Sequence, residues 1–253
     1  MKNTGCLIFS FSMLCLMTVP RNANGQSENT ATGITEPILD VTLSSPVAGI
    51  VGARFFKEGE FVRGGQTVVE LDRKLEELET ARRKAIAERS KADFEATSVL
   101  FKNTKGISGE ELEKKQLEYK VANAEYEIAA EQLRKRQIVS PLSGSIAELF
   151  REVGEACQAN ERLVRIVDTR RCYFVCNVEG KAGPGLRIGQ AATVEVEAGA
   201  STAVFQAIIS FVSPVVDPAS GLLKVKAIFE NPDERIRPGL AGTMRLARQV
   251  NGN

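Results

Sequence analysis

Among its 253 residues the chain has no histidine and no tryptophan, and only three tyrosines. The missing histidine removes the commonest general base and the commonest metal-binding side chain together. Acids such as Glu110–Glu111 and the stretch "DPASG" have no convergent partner in the sequence, so they read as a solvated surface and no enzyme is expected. Lysine and arginine total 33 against 32 acids, a net charge of +1, which leaves no basic excess for nucleic acid. Cysteine is scarce and Cys-x-x-Cys is absent; beyond the N-terminal stretch only Cys157, Cys172 and Cys176 remain. On one strand Cys172 and Cys176 would share a face about 13 Å apart, too far to bond each other. A bridge from Cys157 to either is open, beside the plainer reading of small buried hydrophobes. The one methionine outside that stretch is Met244, which gives a metal relay no support. No cofactor is expected.

Long apolar runs are also missing, with one exception at the start. Lys2 precedes "CLIFSFSMLCLMTV", a run of about 14 residues that is short for a bilayer span. "ANG" (Ala23 to Gly25) supplies small residues for cleavage, so residues 1–25 read as an export signal, with an uncleaved anchor as the alternative. Neither Cys6 nor Cys15 has the small-residue setting of a lipidated cysteine. Residues 26–37 are polar and read as a flexible lead.

What is there begins at residue 38. Short apolar segments punctuated by Gly49, Gly59 and Gly64–Gly65 predict strands over 38–71. From Asp72 the texture changes to Ala, Glu, Lys, Arg and Leu without Gly or Pro, which predicts a helix capped by Asp72. Its apolar residues Leu75, Leu78, Ala85, Ala92, Ala96 and Val99 suggest a seam interrupted by Arg82 and Arg89. "NTKGIS" breaks the run, and Ser108 with Glu111 is a capping box for a second helix. There Leu112, Tyr119, Tyr126 and Leu133 fall seven apart, with Ala122 and Ala129 between them. Two helices so joined form an antiparallel hairpin over 72–137, with arms reaching roughly 40 Å. Residues 169–248 offer four further strand signals with turn chemistry at Gly189, "NPDE" and "RPG", which suggests a small barrel or sandwich, and 249–253 form a tail.

The segments flanking the hairpin repeat one phrase. At a fixed shift of 95 positions (Ser45 to Ser140), Pro46 meets Pro141, Gly49 meets Gly144, Phe55 meets Phe150, Gly59 meets Gly154 and Val69 meets Val164. Equal glycine spacing marks equal turns. Two such units, 38–71 and 138–168, should pack face to face as a pseudo-symmetric sandwich with the hairpin inserted between them. The expected class is α+β and multidomain: a split lipoyl-like (barrel-sandwich hybrid) domain, an inserted α-hairpin and a following β-barrel.

This resembles the lipoyl or biotinyl carrier fold, whose tight cofactor-bearing turn is here replaced by the hairpin; Lys74 lies near the junction but within the helical run. The whole arrangement, over about Val41 to Arg248, resembles the periplasmic adaptors (membrane fusion proteins) of resistance-nodulation-division efflux pumps, relatives of haemolysin-type secretion adaptors. The phrases that carry it are "SPVAGIV…KEGEFVRGGQTVVELD", "ISGEELEKKQLEYKVANAEYEIAAEQL", "VSPLSGSI…EVGEACQANERLVRIVD", "GLRIGQAATVEVE" and "FQAIISFVSPVVDPASGLLKVKAIFENPDERIRPGLAGTMRL". The resemblance implies a homo-oligomer in the periplasm, held to the inner membrane through its complex, that bridges an inner-membrane efflux transporter and an outer-membrane channel. It also places the channel contact at the hairpin tip: Phe101, Lys102, Asn103, Thr104, Lys105, Gly106, Ile107 and Ser108, with Phe101 and Ile107 exposed; an ordinary helix–helix loop is the other reading. Such adaptors carry an arginine, a leucine and a serine there, and this chain has Thr97, Phe101 and Ser108. They also usually continue into a membrane-proximal domain, which is expected to be missing here. A non-transport envelope scaffold and a carrier domain are the alternatives.

Overall fold

The computed structural model describes residues 30–104, 106–199 and 201–246. The expected signal peptide, residues 26–29 of the lead, Lys105 and the tail 249–253 lie outside the described residues.

The first strand, β1 (Thr30–Ser44), corrects the flexible lead, since residues 30–37 are paired strand. Their polarity misleads because Thr30, Thr32 and Glu36 lie on the outward side of a paired strand, while Ala31 and the polar Thr35 are buried. Thr35 accepts from Leu240 N–H on its hydroxyl and donates its own N–H to the Leu240 carbonyl at 2.9 Å. Gly33 is required by close approach: a Cβ there would sit 2.2 Å from the Val175 carbonyl oxygen.

The sandwich follows with β2 (Gly49–Arg54), β3 (Phe61–Val62) and β4 (Thr67–Leu71). After two helices, α1 (Lys74–Thr104) and α2 (Gly109–Arg134), come β5 (Gln137–Val139), β6 (Gly144–Leu149), β7 (Ala156–Cys157) and β8 (Arg162–Glu179). β9 (Ala191–Ala198), β10 (Ser201–Val212), β11 (Leu222–Glu230) and β12 (Ala241–Leu246) are the remaining strands among the described residues. One sandwich sheet runs β5-β4-β2-β7, and the other is the sandwich part of β1 and β8 with β6 and β3. The remaining parts of β1 and β8 close a barrel in the order β1-β12-β9-β10-β11-β8. The barrel therefore borrows its first strand from before the sandwich, and β8 crosses the boundary expected at 168/169 without a break.

The repeat of 95 positions is reproduced bond for bond. β2 pairs with β4 through Val51↔Leu71 and Arg54↔Val69; β6 pairs with β8 through Ile146↔Ile166 and Leu149↔Val164. Gly59 N–H donates to the Ile146 carbonyl at 2.8 Å, and Gly154 N–H donates to the Val51 carbonyl at 2.8 Å. Each half thus supplies the partners that the other lacks, which is why neither needs to hold a core alone. The shared core contains Val51, Val68, Leu71, Ile146, Leu163 and Ile166, and each such side chain contributes about 1.5–3 kcal/mol on burial. Cys157 occupies the place of Val62, and both are fully enclosed.

The barrel has its own core around Phe174, Val194, Ile209, Val225, Phe229 and Met244, with Cys172 and Cys176 on the inner face of β8. All three described cysteines are free thiols. Burial pushes the thiols of Cys172 and Cys176 up to about 11.

Candidate functional site

The hairpin is the feature that neither β domain explains. Asp72 accepts from Lys74 N–H at the start of α1, and Ser108 Oγ accepts from Glu111 N–H at 3.1 Å at the start of α2. At about 1.5 Å per residue the arms reach roughly 40–45 Å. Among the described residues, α1 and α2 pack chiefly against one another, and neither makes an extensive contact with a sheet.

The expected α2 seam is found: Leu112, Tyr119, Tyr126 and Leu133 are half-buried, and Ala122 and Ala129 are buried. The expected α1 seam is not. Leu75 is 78% exposed, Leu78 57% and Val99 56%. The shielded line on α1 is instead Glu76, Thr80, Arg83, Ala87, Ser90, Phe94, Thr97 and Phe101, four and three residues apart. That line is largely polar, yet two of its polar groups find partners on α2. Thr80 Oγ1 donates to the Ala129 carbonyl at 3.1 Å, and Arg83 pairs with Glu125. Phe94 stacks on Tyr119, with ring centroids 6.3 Å apart. Alanines at 87, 122 and 129 let the backbones approach closely. Hydrophobicity reports that a face wants cover, and it does not report from which partner.

The displaced stripe of α1 lies on the face opposite the seam, and α2 has a counterpart. Leu117, Val121, Ala124 and Ile128 recur four, three and four residues apart, and all are exposed. Each helix therefore carries a second heptad line turned away from its own partner. Arg82 flanks the α1 stripe and binds Glu79 through two nitrogens; it and Arg83 hold the Glu79 carboxyl down to about 2.

At the tip, α1 ends at Thr104 and Ser108 caps α2. Phe101 continues the seam line and is half-buried, as is Ile107, so the expectation of two exposed apolar tip residues is corrected. Lys102, Asn103, Gly106 and Ser108 are exposed. Lys105 and the side chain of Thr104 lie outside the description. Thr97, in the place of the tip arginine, donates its hydroxyl to the Asp93 carbonyl at 2.7 Å within its own helix.

The comparisons bear on this architecture. Residues 39–169 match the family profile described as RND MFP, barrel-sandwich hybrid domain, and residues 176–250 match the CusB-like β-barrel domain. The antibiotic efflux pump periplasmic linker protein ArpA of Pseudomonas putida is 28% identical over 228 residues, covering 82% of this chain and 59% of its own length. An uncharacterized protein of Haemophilus influenzae is 25% identical over 223 residues, covering 88% of this chain and 58% of its own. The chain thus spans less than two thirds of these relatives. Among solved structures, a MacA–MexA chimeric protein carrying the Pseudomonas aeruginosa MexA α-hairpin domain superposes with a TM-score of 0.76 at 20% identity, covering 86% of this chain and 77% of the chimera. A putative efflux transporter from Bacteroides eggerthii gives 0.70 at 24% identity, covering 87% and 69%. These two likenesses concern the fold. Taken with the profile that spans more than half of the residues, they accompany one conclusion: the chain belongs to the membrane fusion protein family of resistance-nodulation-division efflux systems.

Proposed function

We propose that this protein is a non-catalytic periplasmic adaptor, exported by its N-terminal signal. It oligomerises and bridges an inner-membrane efflux transporter to an outer-membrane channel, supporting export of small molecules. The observation that carries the reading is the pair of unpartnered heptad lines on opposite faces of the hairpin. A hairpin that served only as a spacer would need one apolar face. Two faces, on α1 and on α2, suit copies standing side by side, with the α1 stripe of one meeting the α2 stripe of the next. Such contacts are heterologous and close into a ring when the rotation permits.

In that arrangement the tip from Phe101 to Ser108 faces the channel, and the β domains face the transporter. Where a carrier domain would hold a lysine in a tight turn, this chain has the hairpin, and Lys74 is the first residue of α1. Photo-cross-linking in cells from Lys102 or Asn103 tests the reading. Capture of an outer-membrane channel is expected, with a membrane-spanning transporter recovered from barrel positions. Capture of unrelated envelope proteins alone would turn the assignment to a scaffold without transport.

A further inference from the structure

The two ends of the sandwich are built differently. At the barrel end, β1 and β8 run through, and their ladder continues from Leu39–Ser44 to Gly33–Pro37 with irregularities at Leu43/Ser44 and Pro37/Leu39. Arg170 reinforces this end: its guanidinium is held by Asp168 at 2.7 and 2.9 Å and lies 5.5 Å from the Phe61 ring. At the opposite end the equivalent strands β4 and β5 stop, and the chain leaves as α1 and returns from α2. Among the described residues the ladders reach only the junction itself, where Asp72 N–H donates to the Ile50 carbonyl at 2.8 Å, and no strand pairing continues into the hairpin.

Arg136, two residues past α2, spans it. Its Nη2 donates to Glu76 Oε1 in the first turn of α1 at 2.5 Å, and its Nη1 donates to the Ala48 carbonyl in the repeated turn at 3.1 Å. Its own carbonyl accepts from Leu71 N–H, the last residue of β4, at 2.8 Å. Both partners of the ion pair are about four-fifths shielded, with side-chain exposures of 20% and 21%. One residue therefore ties both helices to the sandwich. Gly49 makes room for it, because a Cβ at Gly49 would lie 2.6 Å from Arg136 Nη1. The equivalent Gly144 has a different reason, since its Cβ would meet the Val167 carbonyl oxygen at 2.5 Å. The repeat places Val41 where Arg136 stands, so the arrangement is particular to the hairpin end.

We propose that Arg136 is the positioning residue that fixes the direction of the hairpin on the sandwich, with Glu76 and the Ala48 carbonyl as its anchor points. Its consequence for assembly rests on the adaptor reading: the two outer stripes meet a neighbour only if every hairpin leaves its sandwich at one angle. Arginine's planar fork suits this role, since it addresses a carboxylate and a carbonyl in fixed directions, which a lysine cannot do.

The test uses the whole chain, with Cys6 and Cys15 changed to serine and spin labels at K91C on the hairpin and Q158C on the sandwich. Pulsed electron spin resonance then reads the distance distribution in dilute protein without partners. One narrow distance is expected for the parent. Arg136→Met should widen it about twofold or more by releasing local motion, Arg136→Lys should recover part of the narrowing, and Arg134→Gln, which breaks only the surface pair with Glu131, should leave it narrow. Gly49→Ala provides a second route that removes no donor or acceptor, and it decides the matter should Arg136→Met not fold. A broad parental distribution, or variants as narrow as the parent, would overturn the proposal. Failure to capture a channel in cells would leave this measurement standing, so the two readings fail separately.

Discussion

Asn160 stands where Gly65 stands in the other half of the sandwich. Both have positive φ, 65° and 89°, and each N–H donates to the carbonyl of the opposite repeat's serine: Asn160 to Ser45 at 2.7 Å and Gly65 to Ser140 at 2.8 Å. The turn conformation is thus fixed by the pairing, and the residue must tolerate it. Asparagine does so better than other side chains bearing a Cβ. Asn160→Gly should leave the thermal midpoint within a degree or two, whereas Asn160→Val should cost about 1–3 kcal/mol. Urea unfolding of the two variants checks this, and equal stabilities would contradict it.

The Asp168–Arg170 junction predicts an acid response. The guanidinium of Arg170 holds the Asp168 carboxyl below its ordinary value by hydrogen bonding, against the opposing effect of burial. The folded protein therefore keeps this group charged at a pH where the unfolded chain binds a proton. Its contribution is complete above the ordinary aspartate range near pH 4 and is lost as pH falls through the lower folded value. Asp168→Asn should lower stability at neutral pH and flatten the loss below about pH 4. Denaturant titrations from pH 7 to 3 measure both, and a parallel loss in the two proteins would exclude Asp168 as a contributor.

The barrel thiols should be silent while the protein is folded. Cys172 and Cys176 are buried, with thiols pushed up to about 11, so little thiolate exists at pH 8 and little of it is reachable. Peptide mass spectrometry after iodoacetamide treatment should find both unmodified in buffer and fully alkylated in urea. Labelling of either in the folded state would show the barrel opening.

These sites differ in how far the sequence discloses them. The doubled phrase spells out the sandwich because Gly59 and Gly154 mark turns that only one backbone geometry satisfies. β1 is hidden, because Thr30, Thr32 and Glu36 face outward and give the strand the composition of a linker. The α2 seam is legible since its apolar line is also its packing line. On α1 the two lines part: Leu75, Leu78 and Val99 advertise burial, while Thr80, Arg83 and Ala87 make the contact. Arg136 is illegible for another reason. Its importance comes from Glu76, Ala48 and Gly49, which are 60 to 88 positions away and carry no shared pattern.

The same divergence yields a sharp contrast between two adjacent residues. Ala122 is buried in the seam and Val121 is 53% exposed on the outer stripe. Ala122→Arg should part the helices and lower the helical signal in circular dichroism, with a loss of about 2 kcal/mol or more from overpacking and a buried charge. Val121→Arg should leave helicity and unfolding of the isolated chain within about 0.5 kcal/mol of the parent. Similar damage from both would mean that the seam has been assigned to the wrong face.

The outer stripes themselves are best tested by concentration. Leu78 on α1 and Ile128 on α2 are 57% and 60% exposed and lie on faces turned away from the intramolecular seam. If those faces meet between copies, a single face altered leaves the other without a counterpart, because a heterologous contact joins unlike surfaces. Leu78→Asp alone and Ile128→Asp alone should therefore each weaken association as much as the pair does. Covering such a side chain contributes about 1.5–3 kcal/mol, so each substitution should raise the dissociation constant roughly tenfold or more. Sedimentation equilibrium across a range of concentrations provides the measurement, with circular dichroism to show that the hairpin is intact. An isologous contact through one stripe predicts a different pattern: one of the two substitutions would be without effect, and the adaptor ring would lose its structural basis.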